Sequence, residues 1–172
     1  RCSRPASLLG TLESHFGRPW LANERYGPQT PGDLLRLHSQ GLASIGQIAA
    51  IGEWLLRRDS FDLFMIVVGA AHRIGHYLWD LSQIDEARLG RDELATLRQA
   101  MDDVYGACDA AVGRIASAAP AGARIVVYSL HGMGSNSGWT DLFPEIVRRL
   151  GLPASGAVRR RGLRDRVFQL RR

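Results

Sequence analysis

Lysine is missing altogether: all 22 basic residues of this 172-residue chain are arginine. A lysine-free, alanine-rich composition is what GC-rich coding produces, so it is no sign of selection for phosphate binding. Cysteine is nearly missing too. Cys2 and Cys108 are far apart in sequence and imply neither a disulfide framework nor a cysteine-based metal site, so a reduced, cytoplasmic setting is expected. No apolar run approaches the roughly 20 residues that a membrane span needs. No signal-peptide pattern opens the chain, and no internal repeat runs through it. The first residue is Arg1 rather than methionine, and the chain reads as a piece of a longer protein.

The net charge of +5 has a definite location. Residues 1–147 hold 13 arginines against 16 acidic residues, a balance of −3, whereas residues 148–172 hold nine against the single Asp165, a balance of +8. The basicity belongs to the tail, which reads as a solvated linker more readily than as a nucleic-acid contact. With 45% apolar and 23% charged residues, the chain as a whole has the balance of a globular protein. The expected division is residues 1–153 as part of one domain and 154–172 as an arginine-rich tail.

Two apolar runs dominate that domain. Phe61 to Gly69 (FDLFMIVVG) and Arg124 to Leu130 (RIVVYSL) are short, mostly apolar and bounded by turn residues. Such runs read as strands buried on both faces, as in parallel sheets. Helical periodicity fills the intervals. Ser7 to Phe16 predicts a short helix, broken by Gly17 and Pro19. Thr30-Pro31-Gly32-Asp33 predicts a capped start for a helix reaching Arg58, kinked at Gly41 and Gly46. Asp92 to Ala119 carries the clearest apolar stripe, and Leu142 to Leu150 predicts one more short helix. The order helix–strand–helix–strand predicts an α/β fold with a mostly parallel central sheet and flanking helices. Two strands do not make a stable sheet, so further strands are expected from sequence outside this chain.

Each apolar run delivers histidine at its carboxyl end, where open α/β sheets collect ligands. His72 and His76 follow the first, four residues apart, so that one helical turn would aim both imidazoles the same way. That spacing suits zinc, copper, iron or nickel, and equally suits two solvent-facing histidines. His131 follows the second run. Gly132 and Gly134 beside it predict a sharp turn with room for an approaching group. His15 and His38 read as surface residues, and Trp79 and Trp139 as packing or pocket wall. Among Asp102, Asp103 and Asp109, at least two read as solvated helix face.

The stretch SLHGMGSN resembles the SDHGMG signature of the alkaline phosphatase superfamily, in particular its type I phosphodiesterase/nucleotide pyrophosphatase branch. Three further segments are similar to that family in order: FDLFMIVVGAAHRIGHYLWD, VYGACDAAVGRI and DLFPEIVRRLG. Together they cover roughly residues 32–151. The resemblance implies a sandwich-like α/β core and a phosphohydrolase with two divalent metal ions, zinc or manganese, acting on a small-molecule phosphate ester by in-line displacement. It implies His76 as a ligand of one metal, His72 where most members carry aspartate, and His131 as a ligand of the other. Leu130 stands where the signature has a metal-binding aspartate, and the segments that would carry the nucleophile and the remaining ligands are not in these residues. A non-catalytic relative, acting as a binding module, is the alternative expectation.

Overall fold

The computed structural model describes residues 3–20, 29–82, 84–135 and 143–151. The chain divides into two compact units, Arg1–Asn136 and Ser137–Arg172. The first contains α1 (Ser7–Phe16), α2 (Pro31–Arg58), α3 (Ala70–Leu78), a single 3₁₀ turn at Glu86–Arg88, and α4 (Arg91–Ala118). The second contains α5 (Phe143–Arg149). Trp139 and the arginine-rich tail lie outside the described residues. No helix among the described residues is long and apolar enough to cross a membrane.

Local signals set the helix ends. Thr30 and Asp33 form a capping box at the start of α2. The Thr30 hydroxyl accepts from the Asp33 N–H at 3.2 Å, and the Thr30 N–H donates back to the Asp33 carboxylate at 3.3 Å. Gly90 N–H donates to Glu93 Oε2 at 2.9 Å at the start of α4. Beyond the end of α4, Gly122 takes φ +85°, a left-handed backbone that glycine adopts without a Cβ penalty.

The core is the three-way seam between α2, α3 and α4. Leu34, Ile45 and Ala49 from α2 meet Ala70, Ile74 and Leu78 from α3 and Leu97, Ala100, Val104 and Ala111 from α4. His38 of α2 faces Asp103 of α4, and Glu53 pairs with Arg114, so the two long helices run in the same direction. Gly41 lies within the continuous helix α2 and is a contact point. A Cβ there would run into the Ile74 side chain, so its absence lets α3 lie close against α2. Gly46 meets nothing within 4 Å.

The predicted α/β sheet is corrected by the structure: the described residues are helical, with no strand. The two apolar runs are extended but unpaired. In the first, Phe64, Ile66 and Val68 turn partly inward while Leu63, Met65 and Val67 stand exposed, the period-two alternation of extended backbone. Ile66 reaches Gly52 and so packs where α2 meets Ile115 of α4. The second run is exposed throughout; Val126 is 78% and Leu130 88% accessible. A strand exists only as a member of a ladder, and among the described residues neither run finds another extended segment with which to exchange hydrogen bonds.

Candidate functional site

Although no sheet forms, both extended runs end at the same place. The first turns into α3 at Ala70. Ala70, Ile74 and Leu78 recur every four residues and face the core, which leaves His72 and His76 on the open side. Their Nε2 atoms are 3.1 Å apart, with ring centroids 4.5 Å apart and rings nearly perpendicular. The second run brings His131 against them, its ring centroid 5.2 Å from that of His72. The structure thus gathers all three sequence-derived histidines on one exposed surface.

His131 has a defined tautomer. Its Nδ1 lies 2.8 Å from the Gly132 carbonyl oxygen, and a carbonyl only accepts, so Nδ1 carries a proton, and in the neutral ring the lone pair is on Nε2. A second-layer backbone carbonyl of this kind is how ligating histidines are commonly oriented. The Ser129 hydroxyl donates to the His131 carbonyl and tightens the same bend.

The His72/His76 pair fits one metal ion. Two imidazole nitrogens at about 2.0–2.1 Å from a shared tetrahedral ion stand a little over 3 Å apart, close to the separation found. A complete site is another matter. Among the described residues, no three histidine, cysteine, aspartate or glutamate side chains are arranged to hold a metal ion together. His131 is a neighbour of the pair rather than a formed third ligand, and Leu130 supplies nothing beside it.

Several residues outside the histidines shape this surface. Met133 lies over Gly75 of α3, where a Cβ would meet Met133 Cε at 2.9 Å. Asp80, just past α3, accepts from the Ser82 N–H at 2.9 Å. The Ser82 backbone and hydroxyl, and the Ser135 hydroxyl, hold the Asp80 carboxyl below its ordinary range, against an opposing push from burial. Gly75 and Asp80 fall in one of the quoted motifs and Met133 and Ser135 in another, but the motifs assign none of the four a role of its own. The available signal was Gly75 lying between the two histidines, a small residue on an otherwise large-residue surface. Gly132 and Gly134, which follow a bend at residues 130 and 131, adopt no left-handed backbone, and a Cβ at either would meet nothing within 4 Å.

Other expectations sort clearly. His38 is a buried residue at 6% accessibility, not a surface one. Its Nε2 is 3.2 Å from Asp103 Oδ2, near enough to pair in charge but not aligned as a hydrogen bond. Asp103 is accordingly a seam residue. Trp79 is part-exposed at the end of α3. Cys108 is half-buried, and that burial pushes its thiol upward. An open cavity of about 390 Å³ lies elsewhere, between α1 and α2, lined by Phe16, Arg18, Trp20 and Gln47 among others. Its polar groups already serve one another: Trp20 Nε1 donates to Gln40 at 3.0 Å, and Gln47 donates to the Phe16 carbonyl at 2.6 Å. No family model, curated protein or solved structure matches this chain.

Proposed function

We propose that this chain carries the histidine-bearing part of a metal-dependent phosphate-ester hydrolase, of phosphodiesterase or nucleotide pyrophosphatase type, working in the cytoplasm on a small-molecule substrate. One observation carries the reading. His72 and His76 come from one motif and His131 from another more than fifty residues away, and they meet on one surface with two Nε2 atoms 3.1 Å apart. A divalent ion there would supply charge to stabilise a phosphoryl oxygen. The chain's own part is to hold that ion through His72 and His76 and to present Nε2 of His131 beside it. Imidazole ligation favours zinc over manganese among the two metals that the motifs imply. The two lone cysteines support the compartment.

The test is zinc titration of the 172-residue chain by calorimetry. One zinc ion per chain is expected, and His76→Ala should abolish that binding. Binding should weaken as pH falls, because protons compete for the same nitrogens. Absence of zinc binding, or full binding by His76→Ala, overturns the reading. A second reading, a metal-binding module without hydrolysis, is favoured by Leu130 at the carboxylate position and by the lack of a formed third ligand among the described residues. Hydrolysis of a bis-aryl phosphate separates the two, and these residues alone are expected to give none.

A further inference from the structure

The segment after His131 is laid along α3 in register. Three alternate residues, His131, Met133 and Ser135, meet His72, Gly75 and Asp80 in turn along the helix direction. Gly75 makes room for Met133, since any Cβ at that position would force the methionine away. Asp80, just past the end of α3, accepts from the Ser82 N–H at 2.9 Å and has the Ser135 hydroxyl beside its carboxylate. The polar contacts of His131 are local to its own bend: its Nδ1 contact is to the Gly132 carbonyl, and its own carbonyl accepts from the Ser129 hydroxyl.

We infer that Gly75 and Asp80 are positioning residues: together they latch residues 131–135 onto α3 and so determine where His131 stands against His72 and His76. In its consequence for metal, this inference rests on the reading of the cluster as a zinc site.

The experiment uses the full chain with Asp80→Ala, Asp80→Asn and Gly75→Ala, each alone and combined with His131→Ala, with zinc affinity measured by calorimetry. Asp80→Ala and Gly75→Ala should each weaken zinc about tenfold, the range typical of lost outer-shell support. Asp80→Asn should retain most of the affinity, because its side-chain oxygen still accepts from Ser82 and Ser135. In the His131→Ala background both losses should vanish, since they act through that ring. Equal losses with and without His131, or no loss in any variant, overturn the inference. A second measurement needs no metal. Proton contacts between the His72 and His131 rings, read by NMR, should be present in the wild type and absent in Asp80→Ala. Their persistence in Asp80→Ala overturns the latch. If the contacts behave as expected while the wild type binds no zinc, the latch stands and the metal reading fails.

Discussion

The helical seam and the two extended runs are equally apolar in sequence, yet they use that apolarity in opposite ways. Ile74, Ile45, Leu97 and Val104 are fully buried between helices. Val67, Val126 and Leu130, no less hydrophobic, are exposed at 79%, 78% and 88%. A helix satisfies its own backbone and needs only a neighbour for one stripe of side chains. An extended run needs a neighbour twice over, for its side chains and for its N–H and C=O groups. The comparison teaches that an apolar pattern marks where burial is favourable, whereas a partner decides whether it happens.

The comparison breaks first at its most buried member. Ile74→Ala should destabilise the chain by about 2–5 kcal/mol, the transfer and cavity cost of emptying a filled site. Val126→Ser, at a comparably apolar but exposed position, should stay within about 0.5 kcal/mol. Denaturant unfolding of both variants measures the difference. Equal effects would mean that the second run is buried in solution and that the contrast is false.

Next in size is a pair of glycines on α2. Gly41→Ala drives a methyl into Ile74 and should cost about 1–3 kcal/mol. Gly46→Ala meets nothing within 4 Å and should stabilise by about 0.5–1 kcal/mol through helix propensity. Opposite signs in thermal unfolding sharpen the picture of a seam built on close approach. Destabilisation by both would refute it.

The smallest effect is at the helix start. The Thr30 hydroxyl, then the Thr30 backbone, and beyond these Arg36, hold the Asp33 carboxyl below its usual range. A depressed folded-state value contributes stability that is present above the unfolded value and lost as pH falls through the folded one. Thr30→Ala should therefore narrow the acid-side stability loss in that window and leave the neutral-to-alkaline profile parallel to wild type. Thermal unfolding across pH checks it; a difference that grows toward alkaline pH would show that the cap is not the cause.

Much of this molecule was legible before folding. The bounds of α1, the capped start of α2, the stripe of α4 and the short helix after it depend on contacts within a few residues, and sequence records those directly. The i, i+4 spacing of His72 and His76 belongs to the same class. So does the delivery of His131 just after an apolar run.

Tertiary structure alone decided the rest, because each remaining question required two distant segments to meet. Residues 61–69 and 124–130 have strand composition, but a ladder is a property of pairs. His38 looks like any polar helix residue until α4 closes over it and sets Asp103 beside its ring. Gly41 and Gly75 look like helix breakers until Ile74 and Met133 occupy the space that a side chain would fill. The sequence by itself determined the helices and the histidine spacing, since their energetics are local. Which apolar runs are covered, and which histidines share a surface, followed from packing across the chain, which no window of sequence contains.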